Sequence, residues 1–224
     1  LYVHIFKGLP LGDLDGIAIC TRINPRPPIK RRHGPPVGTF LDFAMDRLLA
    51  FFVPEPIVAV LGDFGSVITL LSGGLASITS SEETGGDDVI TLGAGDDYAV
   101  GGIEADTISG DDGADVILGD GGSITDDGVT RTASSTSSMP LSGTVAAGGP
   151  DWIDGGSGDD VIIGAIGADE LHGDGDGSIA GDDILFGDLA TVTWQNGALS
   201  SFESVSPSEG DSDQIFGDGG NDIA

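Results

Sequence analysis

TGGDDVITLGAGDDYAVGGIEADTISGDDGADVIL, residues 84–118, is the stretch that decides the fold of this chain. Asp88, Asp97, Asp106 and Asp115 stand nine residues apart without slippage, and two residues after each comes Ile90, Ala99, Ile108 or Ile117. A period of nine held this strictly marks a stacked repeat. Take the aspartate as the sixth position of a unit. The glycine-rich positions before it must turn the chain, because glycine takes positive φ at little cost. Positions seven to nine then make a short strand, whose alternation sends the eighth residue inward.

The same register returns at Asp151, Asp160, Asp169, Asp183, Asp213 and Asp222, which completes ten units and adds Ile153, Ile162, Leu171, Leu185 and Ile215 to the inward set. Each interruption follows a Gly-Asp pair at positions one and two: Gly62-Asp63, Gly119-Asp120, Gly173-Asp174 and Gly187-Asp188. The inserts are therefore 64–84, 121–147, 175–179 and 189–209. For the Gly-Asp pairs themselves, a turn cap and a direct metal ligand are equal alternatives.

The three long inserts read as β-hairpins, with Ser72-Gly73-Gly74, Asp127-Gly128 and Asn196-Gly197 as turns between β-prone runs. They fall in the first, fifth and ninth units. If two units complete one coil, all three leave the same edge of the solenoid, two coils or roughly 10 Å apart, which suggests hairpins stacked face to face.

Charge separates two regions. Lys7, Arg22, Arg26, Lys30, Arg31, Arg32 and Arg47 all precede residue 57, and only Arg131 follows, against 32 acidic residues. Such a surface excludes nucleic acid as a natural partner and calls for a cation. Stacking places the sixth-position aspartates of units i and i+2 side by side. Two carboxylates about 5 Å apart repel by ~0.8 kcal/mol in water and ~3 kcal/mol at an effective dielectric of 20. Calcium suits them, since it accepts six to eight oxygens from carboxylates and turn carbonyls.

Units such as Leu92 to Val100 and Gly155 to Ile163 (GGSGDDVII) resemble the nonapeptide G-G-x-G-x-D-x-U-x of RTX, or haemolysin-type, calcium-binding proteins. The resemblance implies an all-β chain: a parallel β-roll with two units per coil, decorated with β-hairpins on one edge. It implies several Ca2+ ions held by the repeat aspartates and turn carbonyls. The metal set is then Asp88, Asp97, Asp106, Asp115, Asp151, Asp160, Asp169, Asp183, Asp213 and Asp222, with the turn glycines Gly86, Gly95, Gly113, Gly149, Gly158, Gly167 and Gly181. The expected pairs are Asp88 with Asp106 and Asp151 with Asp169 on the hairpin edge, and Asp97 with Asp115 and Asp160 with Asp183 on the other. Asp106 with Asp151 would bridge an insert, and Asp213 and Asp222 have weak flanking glycines. Glu104, at a glycine position, should strain its turn.

By the same resemblance the chain is a calcium-binding structural module of a secreted or cell-surface bacterial repeat protein, an adhesin-like stalk. It would leave the cell unfolded by type I secretion and fold on meeting calcium outside. The alternative is the C-terminal calcium-dependent secretion and folding domain of an RTX toxin, protease or lipase whose catalytic domain lies outside this chain. No cofactor site, His-Glu-x-x-His helix or Gly-x-Ser-x-Gly elbow is present, so the chain is read as non-enzymatic.

A cell-surface or carbohydrate ligand for the hairpins is a further reading, through Trp194 and Phe202. Trp152, Val161, Ile163, Ile184 and Phe186 flank inward positions and should face outward, to pack beneath hairpins or meet a partner. Residues 1–56 read as a basic, proline-containing leader or end cap, within which 41–53 could form a short amphipathic helix. Residues 57–224 carry the repeats. Cys20 stands alone and cannot make an internal disulfide. No apolar run is long enough to span a bilayer, because Asp42, Asp46 and Arg47 interrupt the best candidate, Thr39 to Val53.

Overall fold

The computed structural model describes residues 18–20, 59–63, 65–69, 75–80, 85–136, 148–175, 180–205 and 211–224. Most of the 1–56 leader, including the 41–53 segment, and most of the 175–179 insert lie outside the described residues. All regular structure among the described residues is strand. In chain order the strands are β1 (Ala18–Cys20), β2 (Ala59–Leu61), β3 (Gly65–Thr69), β4 (Leu75–Ser80), β5 (Val89–Ala94) and β6 (Tyr98–Gly102). Then come β7 (Thr107–Asp112), β8 (Val116–Asp120), β9 (Gly122–Asp126), β10 (Thr130–Ser135), β11 (Trp152–Asp154) and β12 (Val161–Ile163). The last are β13 (Glu170–His172), β14 (Ile184–Phe186), β15 (Ala190–Gln195), β16 (Ala198–Ser204) and β17 (Gln214–Phe216).

Consecutive repeat strands alternate between two parallel sheets, β1-β2-β6-β8-β12-β14 and β17-β13-β11-β7-β5. Their registers align the eighth positions without error: Ile90, Ile108, Ile153, Leu171 and Ile215 in one sheet, and Val60, Ala99, Ile117, Ile162 and Leu185 in the other. These two rows meet in one core, where all but Ile215 are buried. Each large aliphatic removed from water contributes about 1.5–3 kcal/mol. A core one side chain wide on each face is thin for the number of turns it must order.

A second core lies on the other side of the first sheet. Its seventh and ninth positions, Ala59, Tyr98, Val116, Val161 and Ile184 with Leu61, Val100, Leu118 and Ile163, are buried, and Phe186 is partly so. Leu75, Ile78, Ile124, Ala133, Ala190 and Val192 of the inserts cover them. Thus Val161, Ile163 and Ile184 pack beneath the inserts, whereas Trp152, on the second sheet, stays 38% exposed.

The inserts do not stack face to face as their spacing suggested. They join edge to edge in one antiparallel sheet, β16-β15-β10-β9-β4-β3, through β4 against β9 and β10 against β15. The reason is dimensional: two strands at about 4.8 Å each are as wide as the two coils that separate successive inserts. Open edges are thereby satisfied by neighbours. Asn196 and Gly197 take φ of 52° and 77°, as a type I′ turn requires. At Asp127-Gly128, Asp127 Oδ1 accepts the N–H groups of Val129 and Thr130.

Arg131 fixes the middle insert to the sheet below. Its guanidinium lies 5.0 Å from the Tyr98 ring centre and 5.8 Å from that of Trp194, and its Nε donates to Asp126 Oδ2 at 3.1 Å. Trp194 therefore faces inward and is partly buried, and Phe202 leans on Phe186 with ring centres 6.1 Å apart. Phe202 nonetheless stays 42% exposed. Ala18–Cys20 of the leader pairs in parallel with Ala59–Leu61 at the sheet's edge.

Candidate metal centre

The ten sixth-position aspartates form two ladders, one along each border of the parallel sheets. On the border from which the long inserts leave, the N–H of Asp88 donates to Asp106 Oδ1, Asp106 to Asp151, Asp151 to Asp169 and Asp169 to Asp213, at 2.7, 2.8, 2.9 and 3.0 Å. On the other, Asp97 donates to Asp115, Asp115 to Asp160, Asp160 to Asp183 and Asp183 to Asp222, at 2.7, 2.7, 2.8 and 3.0 Å. The aspartates of every pair read from the sequence are hydrogen-bonded neighbours on a ladder, including Asp106 with Asp151 across an insert. Asp213 and Asp222 continue the ladders at their more exposed end.

One carboxylate oxygen per rung is thus committed to the neighbouring coil. The other, Oδ2, is buried without a hydrogen-bond partner in Asp106, Asp115, Asp151, Asp160, Asp169 and Asp183. An ionised oxygen placed so is costly unless a cation meets it. Burial pushes the carboxyls up, Asp106 to about 9, Asp115, Asp151 and Asp160 to about 8, Asp169 to about 7 and Asp183 to about 6; the hydrogen bond from the preceding rung opposes the shift.

What these oxygens face was not read from the sequence. Each is aimed at the glycine five positions earlier in its unit, or the equivalent one across an insert. A methyl group on Gly101 would collide with Asp106 Oδ2 and with the carbonyl oxygen of Gly119, two units on. The same holds at Gly110 for Asp115 and the Gly155 carbonyl, and at Gly155 for Asp160 and the Gly173 carbonyl. Gly119, Gly164 and Gly173 repeat it with Asp151 and Gly164, Asp169 and Gly187, and Asp183 and Gly217. First-position glycines therefore keep open a cradle between a carboxylate and a main-chain carbonyl. The available signal was the glycine that opens nearly every unit.

The fourth-position glycines have a different surrounding. Gly95, Gly113, Gly158 and Gly167 have φ between 118° and 153°. A methyl on Gly113 would strike the Gly95 carbonyl, on Gly158 that of Gly113, on Gly181 that of Gly158, and on Gly167 that of Gly149. These turns are stacked too closely for a side chain. Gly149 meets the carbonyl of Glu104 in the same way, and Glu104 keeps a φ of 76°, the strain expected of a non-glycine there. Gly86, near the first ladder rung, is half-buried.

At three of the four insert junctions the aspartates act as caps. Asp120 accepts the N–H of Gly149, where the turn resumes, and that of Ile166 in the next coil, at 3.2 and 2.7 Å. Asp174 does the same with Gly181 and Gly219, at 2.9 and 3.1 Å, and Asp63 accepts the N–H of Ile103 at 2.7 Å. All three are buried. In uninterrupted units the second position instead takes positive φ, at Gly93, Gly102, Asp111, Gly156, Ala165 and Asp218.

Calcium fits this donor set. The oxygens are hard, singly committed carboxylates and turn carbonyls, and the cradles exclude side chains where an ion would lie. Among the described residues no group of three His, Cys, Asp or Glu side chains can hold a metal by itself, so main-chain carbonyls or water must complete any shell. A borderline metal that prefers nitrogen or sulfur finds no such ligands along either ladder. Among the described residues no helix is long and apolar enough to cross a membrane.

Comparison with curated proteins and with solved structures finds no match. The model of the RTX calcium-binding nonapeptide repeat matches in four copies, at residues 84–103, 93–123, 145–178 and 209–224. The matched segments contain every ladder aspartate but Asp183, which lies in register between two of them. On this match and these ladders, residues 84–224 belong to the RTX calcium-binding nonapeptide repeat family.

Proposed function

We propose that this chain is a calcium-stiffened β-roll, decorated on one side by hairpins, that serves as a non-catalytic structural module of a secreted or cell-surface bacterial repeat protein. One observation carries the reading: buried Oδ2 atoms without hydrogen-bond partners, repeated rung after rung and each facing a main-chain carbonyl. Asp106, Asp115, Asp151, Asp160, Asp169 and Asp183 hold the neighbouring coil with Oδ1 and offer Oδ2 to the ion. Bound calcium supplies charge neutralisation and joins coil to coil.

Binding would then be coupled to folding. At millimolar calcium, a site with the affinity usual for extracellular modules adds about 0.4–1.4 kcal/mol. A single site of this kind is weak, but several in register decide whether so thin a core holds. A chain that stays unfolded at low calcium inside the cell and folds outside suits type I secretion and an extracellular location.

The test is far-ultraviolet circular dichroism of the purified chain in millimolar calcium and again with excess chelator. The strand signal should collapse on chelation and return when calcium is restored. A signal indifferent to calcium contradicts coupled folding.

A further inference from the structure

The first-position glycines in the described residues are Gly62, Gly101, Gly110, Gly119, Gly155, Gly164, Gly173, Gly187 and Gly217, and at each a methyl group would meet the Oδ2 of its unit's aspartate. In the unit of Asp97 that position is Leu92. Leu92 is 1% exposed and lies in the inner core beside Ile90 and Ala99. Around it the strand runs on through the turn: β5 keeps pairing with β7 at Gly93 with Asp111 and Ala94 with Asp112, whereas β11 to β14 stop after three residues.

We infer that Leu92 closes one cradle, so that the ladder Asp97-Asp115-Asp160-Asp183-Asp222 takes up one calcium ion fewer than its register allows. The obstacle to an ion there is steric. At Gly110 and Gly155, the next cradles along this border, a Cβ alone already meets both the carboxylate oxygen and the carbonyl. Leucine adds a Cβ and an isobutyl group in the corresponding place. An apolar plug thus replaces an ion in this coil, and the coil is held by packing where its neighbours are held by calcium.

This inference rests on the calcium reading above, and the experiment separates the two. Bound calcium per chain is counted by native mass spectrometry and by isothermal calorimetry, for the wild type and three variants. Leu92→Gly should bind one ion more than the wild type. Leu92→Ala, which loses the same packing but keeps a Cβ, should bind the wild-type number, and Gly155→Ala should bind one fewer. Equal counts for Leu92→Gly and the wild type, or an extra ion in Leu92→Ala, overturn the inference and leave the calcium reading intact. Should Leu92→Gly fail to fold, an unchanged count in Gly155→Ala overturns it instead. A wild type that takes up no calcium overturns both.

Discussion

The two parallel sheets are built from the same nine-residue unit, yet among the described residues only one is covered. Their eighth positions are interchangeable, with Ile117 and Ile162 facing Ile108 and Ile153 across one core. Their seventh and ninth positions differ in most units. In the covered sheet they are Tyr98, Val116, Val161 and Ile184, with Val100, Leu118, Ile163 and Phe186. In the bare sheet they are Val89, Thr107, Trp152, Glu170 and Gln214, with Thr91, Ser109, Asp154, His172 and Phe216. The eighth position makes the fold; its neighbours decide which face receives the inserts. The bare face compensates locally: His172 stacks on Phe216 with ring centres 4.7 Å apart and pairs with Glu170 and Asp218 at 3.2 and 3.1 Å.

The sharpest way to break this contrast is to place the same charge at matched positions. Val116→Lys buries an unpaired ammonium beneath the antiparallel sheet and should cost about 4 kcal/mol or more, whereas Thr107→Lys at the exposed counterpart should stay within about 0.5 kcal/mol. Calcium-saturated urea unfolding measures both. Equal losses would mean that the insert sheet is not packed where the structure puts it.

Next in size are the insert junctions. Asp120→Ala leaves the N–H groups of Gly149 and Ile166 without their acceptor and should cost about 2–4 kcal/mol, with faster proteolysis between residues 121 and 147. Asp111→Gly, at the second position of an uninterrupted unit with φ of 71°, should leave stability nearly unchanged. If the two variants behave alike, the junction aspartates are not caps.

Much of this was legible because the period is local. Asp88 to Asp115 fixed the unit, the +2 residues named the inner core, and Asn196-Gly197 declared its turn. The union of the inserts into one sheet was not legible, since it depends on hairpin width matching coil spacing, a relation between segments over forty residues apart. The double role of Gly-Asp pairs was hidden for a similar reason. Asp111 and Asp120 look alike in sequence, and only the chain path after them decides between positive φ and a buried cap. First-position glycines read as turn formers, whereas Gly101 and Gly155 are glycine because a carboxylate and a carbonyl need the space.

Acidity should sharpen the same contrast between ladder carboxylates and surface ones. The folded carboxyls of Asp106, Asp115, Asp151 and Asp160 are raised from 3.8 to about 8–9, so without calcium the fold binds more protons than the unfolded chain. Calcium-free stability is then greatest below pH 3.8 and is lost as pH rises through 8–9. Circular dichroism of the chelated chain should gain strand signal on acidification. With calcium the order reverses, because protons compete with the ion. Asp127, on the insert sheet, is shifted the other way by the N–H groups of Thr130 and Val129 and takes no part in this gain.

The smallest expected effect is at Glu104. Glu104→Gly relieves a left-handed side-chain residue with φ of 76° and should stabilise the calcium-bound chain by about 0.5–1 kcal/mol in the same urea assay.

The most direct measurement is anomalous diffraction from crystals grown in abundant calcium. Ions should appear along both borders, each against the Oδ2 of Asp106, Asp115, Asp151, Asp160, Asp169 or Asp183 and a first-position carbonyl. Anomalous maps without calcium at those oxygens would contradict the calcium reading.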